Sequence, residues 1–123
     1  MGKIERFEDI NAWQNARILV KNVYQITSKG AFSKDYGLRD QIQRAVVSIM
    51  SNIAEGFERR GNKEFSQFLF VSKASAGEVR SLLYVAKDIG YIDERIFNEL
   101  QDSVSHLSCQ ISAFIKYLSK TLK

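Results

Sequence analysis

The chain has 123 residues, 45% of them hydrophobic and 26% charged, with a formal net charge of +4. That size and balance describe one domain with a real core, covering residues 1–123, rather than a disordered chain. No apolar run approaches the ~18 residues needed to cross a bilayer, lone Cys109 has no intrachain partner, and the charge in Met1-Gly2-Lys3-Ile4 is followed by more charge rather than by the apolar stretch of a signal peptide, so a cytoplasmic protein without membrane attachment is expected.

Proline is absent, which suits long helices. After a charged lead-in, Asp9 or Asn11 is placed to cap a first helix, and Gln14 stands at capping-box spacing from Asn11. Ala12, Trp13, Ala16, Leu19, Val20, Val23, Tyr24 and Thr27 then share one face. Lys29-Gly30 is expected to end the helix on a left-handed glycine, with a loop over 31–35. A second helix from Tyr36 to Glu58 sets Leu38, Ile42, Ala45, Val46, Ile49 and Ile53 on its core face. The break at Arg59-Arg60-Gly61-Asn62 is so short that the next helix, Lys63 to Ile89, must run antiparallel to it. Phe65, Leu69, Ser72, Ala76, Val79, Leu83 and Ala86 form the core face of that third helix. Gly90 stops it, Asp93 caps a fourth, and Ile96, Leu100, Val104, Leu107, Ile111, Phe114, Leu118 and Leu122 continue the stripe. Four amphipathic helices with short links predict an all-α, up-down-up-down antiparallel four-helix bundle.

Two features exceed what a lone bundle needs. Val47, Met50 and Ala54 form a second apolar patch on the second helix, and Phe70, Gly77 and Tyr84 form a stripe seven apart on the third. A helix apolar on two sides is normally in contact on two sides, so these six are candidates for an interface between copies of the chain. The charge is also uneven. Residues 1–63 hold 11 of the 18 Lys/Arg against 7 of the 14 Asp/Glu, and the remainder is balanced. Arg17, Lys21, Arg39, Arg44, Arg59, Arg60 and Lys63 are therefore candidates for contact with the phosphates of a nucleic acid.

Catalytic chemistry finds little support. The only histidine, His106, has Ser103 three residues before it, so the Glu-x-x-His pairs of a dinuclear bundle site are missing; no metal and no cofactor are expected. Glu55 and Glu78 could act as an acid–base pair, but Arg44, Asn52 and Arg80 offer them partners in a structural polar network. Cys109 has no adjacent base, Gly56 and Gly61 are isolated rather than part of a phosphate loop, and Trp13 reads as core.

Several segments resemble one family. Phe7-Glu8-Asp9-Ile10 with Trp13-Gln14, Gln41-Ile42-Gln43-Arg44-Ala45, Ser48-Ile49-Met50-Ser51-Asn52-Ile53-Ala54-Glu55-Gly56, and Glu64-Phe65 with Phe68-Leu69 are similar to four-helix bundle proteins encoded by intervening sequences in bacterial large-subunit ribosomal RNA genes, often labelled "ribosomal protein". The likeness runs from about Phe7 to Ile92; the fourth helix matches in pattern only. It implies a homopentamer with no established enzymatic activity, related to the basic accessory variability protein of diversity-generating retroelements, which works with reverse transcriptase and RNA. Departures are Gln43-Arg44 where the family usually has Arg-Arg, Ser33 where proline is common, and Ala74-Ser75 for a Gly-Ser pair, with glycine at Gly77 instead. The function expected first is a non-enzymatic oligomer binding structured RNA, or an RNA-bound protein, through basic residues. A protein scaffold with no nucleic-acid role comes second. A helical ribonuclease of the kind with an Arg-x4–6-His motif comes last, because no arginine stands at that distance before His106.

Overall fold

Among the residues described by the computed structural model, 4–59 and 61–121, there are four α-helices and no strand. These are α1 (Asn11–Thr27), α2 (Tyr36–Glu58), α3 (Asn62–Ile89) and α4 (Glu94–Thr121), with 3-10 turns at Phe7–Asp9 and Gly30–Lys34. Arg60 and Leu122 lie outside the described residues.

The helices bury the faces that their spacing predicts. All seven expected core residues of α3 are buried, as are Leu100, Val104, Leu107, Ile111 and Leu118 of α4. Contacts climb one helix as they descend the next. Gln41 pairs with Glu78, Ser48 with Ser75, Ile49 with Ser72, and Gly56 meets Phe65 and Phe68. From α3 to α4, Arg80 meets Gln101, Tyr84 meets Phe97 and Lys87 meets Glu94. Neighbours are therefore antiparallel, and the up-down-up-down bundle follows. The contact is most extensive between α2 and α3 and least between α1 and α4.

The α2–α3 seam is close because small residues line it. Ser72 Oγ donates to the Ile49 carbonyl at 2.7 Å, fully buried, and the Ser48 and Ser75 hydroxyls meet at 2.8 Å. Each bond satisfies a hydroxyl that burial would otherwise strip of water.

Helix α1 differs from expectation in three places. Helix α1 does not use the capping box. Ile10, buried in the core, occupies the N-cap position, and Gln14 Nε2 donates to the Glu8 carbonyl at 2.8 Å. Burying an isoleucine outweighs a side-chain cap worth ~1 kcal/mol. At its other end α1 stops at Thr27, and Gly30 (φ +57°) instead opens the 3-10 turn in the expected loop. That turn buries Phe32, which stacks on Tyr91 at 5.1 Å. Tyr24, expected on the core face, is exposed, since it lies at the edge of the α1 stripe.

Polar groups fasten the end of the bundle beside that turn. Asp35 Oδ1 accepts from Leu38 N at 3.1 Å, capping α2, while Oδ2 accepts from the Tyr91 hydroxyl at 2.9 Å. That bond to a carboxylate needs the phenolic proton, so it holds the Tyr91 pKa above its ordinary value. Gly90 (φ +93°) ends α3 in the left-handed conformation, and Asp93 Oδ1 accepts from Ile96 N at 2.9 Å, both as expected.

Candidate functional site

The basic residues do not converge. On α1, Arg17 and Lys21 stand one turn apart and exposed, with the Arg17 guanidinium 5.8 Å from the Trp13 ring. Arg39, near the start of α2, is half-buried and occupied. It pairs with Asp40 at 3.0 Å, donates to the Ser33 carbonyl at 2.9 Å, and lies over the Tyr36 ring at 4.7 Å. Arg59 pairs with Glu55 at 3.0 Å and covers the Phe68 ring at 4.9 Å. Arg44 and Lys63 are exposed. Of the six described candidates, Arg17, Lys21, Arg44 and Lys63 have no carboxylate partner among the described residues; they sit on three helices, from the middle of the bundle to the α2–α3 turn.

The surplus apolar residues occupy two separate flanks. At 100° per residue, Val47, Met50 and Ala54 share an arc of α2 with Gln43, whose amide donates to Thr27 Oγ1 of α1 at 2.9 Å. Gln41, Ser48 and Asn52, on the other side of α2, meet α3 or lie beside the residues that do. The α2 patch therefore sits on the α1-facing flank of α2. The α3 stripe faces outward and toward α4, where Tyr84 packs edge-on against Phe97 at 4.9 Å. Val47, Phe70 and Tyr84 are 38%, 58% and 52% exposed, Gly77 is exposed, and Met50 and Ala54 are half-buried against the core. Residue spacing alone missed Val71, Val85 and Ile89, exposed apolar neighbours that widen the α3 face. Val71 and Val85 follow Phe70 and Tyr84 directly in sequence, and Ile89 lies one turn beyond Val85.

The five polar candidates do not make one network. Glu78 accepts from Gln41 at 3.1 Å, Glu55 from Arg59, Asn52 donates to Ser48, and Arg80 reaches Gln101 at 3.4 Å, while Arg44 is exposed. Glu78 sits opposite Gln41, fourteen residues along α2 from Glu55, so the two carboxylates are on the order of 20 Å apart. They cannot share a proton-transfer task. The physical reason is the antiparallel register, which places residues equidistant from the turn side by side; Glu55 and Glu78 are not.

Between α1 and α4, where packing is thinnest, a cleft of about 200 Å³ is lined by Asn15, Ile18, Leu19, Asn22, Ser103 and His106. Asn15 Nδ2 donates to Gln110 Oε1 at 2.8 Å across its edge. His106 is exposed there, and Cys109 is exposed one turn along. Among the described residues no helix is long and apolar enough to cross a membrane.

Comparison with known proteins adds a family and a fold. A family model described as 23S rRNA-intervening sequence protein matches residues 8–113. A solved structure from Bacteroides thetaiotaomicron, described as a protein with unknown function from the S23 ribosomal protein family, aligns with a TM-score of 0.79 at 18% identity. It covers 85% of this chain and 98% of that one. At that identity it shows the fold alone. No curated protein matches.

Proposed function

The chain belongs to the 23S rRNA-intervening sequence protein family, and we propose from that membership that it is a non-enzymatic module that assembles with copies of itself and associates with structured RNA, or with an RNA-bound protein. The observation that carries this reading is the pair of unlike apolar flanks on one protomer, the α2 patch beside α1 and the α3 stripe facing outward. A two-fold dimer needs one self-complementary surface; a head-to-tail ring needs two different ones. Five copies, as the family likeness implies, would close such a ring.

Assembly also answers the scatter of the cations. The candidate cations, spread over one protomer, would make few phosphate contacts at once. Repeated around a ring they act together, because every contact after the first is intramolecular. Arg17 and Lys21 matter most, since they stand exposed one turn apart on α1 and have no acidic partner among the described residues.

The test is RNA affinity measured across a salt series. The double substitution Arg17→Ala with Lys21→Ala should weaken binding and flatten the plot of log K against log salt. Arg59→Ala should do less, because Glu55 already neutralises that guanidinium. Absence of RNA affinity at low salt would overturn the RNA reading. A protein partner captured equally well after nuclease treatment would favour a scaffold instead.

A further inference from the structure

We propose that the cleft between α1 and α4 takes a single unpaired nucleobase of the bound RNA. This deepens the RNA reading and rests on it. The cleft's ~200 Å³ is below the ~300–1,000 Å³ of pockets for drug-sized ligands, which leaves room for one ring system rather than a whole cofactor.

Its lining fits a neutral, planar group with a mixed hydrogen-bonding edge. No charged side chain is among Asn15, Ile18, Leu19, Asn22, Ser103 and His106. Asn15 gives one amide hydrogen to Gln110, which holds that side chain in place and leaves its carbonyl oxygen to accept. Asn22 and His106 have no hydrogen-bond partner among the described residues, so both keep donor and acceptor capacity. Ser103 donates to the Glu99 carbonyl and can still accept. Leu19 forms a buried apolar floor, and Ile18, 58% exposed, forms an apolar wall. Paired amides read base edges, and imidazole or aliphatic faces cover unstacked bases.

The position on α1 supplies the second half of the argument. Arg17 precedes Ile18 and Lys21 precedes Asn22, so each cation lies about 100° around the helix from a cleft residue. A strand whose phosphates follow the Arg17–Lys21 crest passes within reach of the cleft and can turn one base into it. The charge on one flank of α1 and the neutral amides on the other then have separate tasks, positioning and reading.

The experiment compares two RNA hairpins, one with a single bulged nucleotide and one with an abasic residue at the same bulge. Backbone charge is equal in the pair, so only the base differs. The bulged-base hairpin should bind about tenfold tighter, the worth of one well-made base contact. Asn22→Ala and His106→Ala should each shrink that ratio toward one while leaving the abasic affinity unchanged. Equal binding of both hairpins, with salt dependence intact, overturns the base site and leaves the RNA reading standing. A preference that survives both substitutions places the base elsewhere and also overturns it. No affinity for either hairpin at low salt overturns both.

Discussion

Replacing Gly56 with alanine should destabilise the bundle, although alanine is the better helix former. A Cβ at this position would lie 2.7 Å from Phe68 Cβ, 2.9 Å from Phe65 Cδ1 and 3.3 Å from the Phe65 carbonyl. Phe68 Cβ is bonded directly to the α3 backbone, so no rotamer change relieves the first clash. The Phe65 ring is held by Phe57 and Phe114 at centroid distances of 6.0 and 5.1 Å, and Arg59 lies across Phe68. Helices α2 and α3 would have to separate next to their turn. Overpacking of this kind costs ~1–3 kcal/mol, and the gain in helix propensity returns ~1 kcal/mol, for a net loss of up to ~2 kcal/mol. Gly77→Ala is the control. Nothing lies within 4 Å of its Cβ position, so in a separated protomer the same substitution should stabilise by up to ~1 kcal/mol. Denaturant titration of both variants at one protein concentration, low enough to separate the protomers, checks the opposite signs, and equal signs would contradict the close approach at Gly56.

Leu107→Ala should cost more. Leu107 is 1% exposed in the middle of α4, between Val104 and Ile111, which are fully buried. Removing its side chain forfeits transfer energy and leaves a cavity that rigid neighbours cannot fill, a loss of ~2–5 kcal/mol. For a chain of this size that lowers the thermal midpoint by on the order of 10 °C. Cys109→Ala, exposed two residues along the same helix, should fall within ~0.5 kcal/mol of the parent. Thermal scans of the pair test the α4 face, and a Leu107→Ala variant as stable as Cys109→Ala would contradict it.

The bundle was legible in the residues because its signals are local and repeated. The α3 core face needs only the spacing of Phe65, Leu69, Ser72, Ala76, Val79, Leu83 and Ala86, and Gly90 and Asp93 mark the next turn by their own chemistry. What escaped depends on tertiary contact. Ile10 displaced the expected cap of α1 because a core exists for it to enter, and Phe32 made an ordered turn of an expected loop because Tyr91 waits to stack on it. Phe97, buried under Tyr84 and Lys87, was passed over for its neighbour Ile96, though its spacing to Leu100 and Val104 also fits a helical stripe.

The candidate surfaces were legible only as residue types. Seven cations in one half of the chain suggested a patch, whereas the described ones are spread over three helices and two are engaged by Asp40 and Glu55. Glu55 and Glu78 suggested a pair until the α2–α3 register separated them. The cleft between α1 and α4 could not be foreseen, because Asn15 and His106 are ninety-one positions apart in the chain.

Sedimentation equilibrium on the purified chain tests self-assembly most directly. The expected mass is a multiple of the 14.1 kDa protomer, falling to a single copy when Phe70→Glu and Tyr84→Lys are introduced together, with helical content retained. A parent protein that sediments at 14.1 kDa across the micromolar range would contradict the account, because the α2 patch and the α3 stripe would then have no second copy to meet.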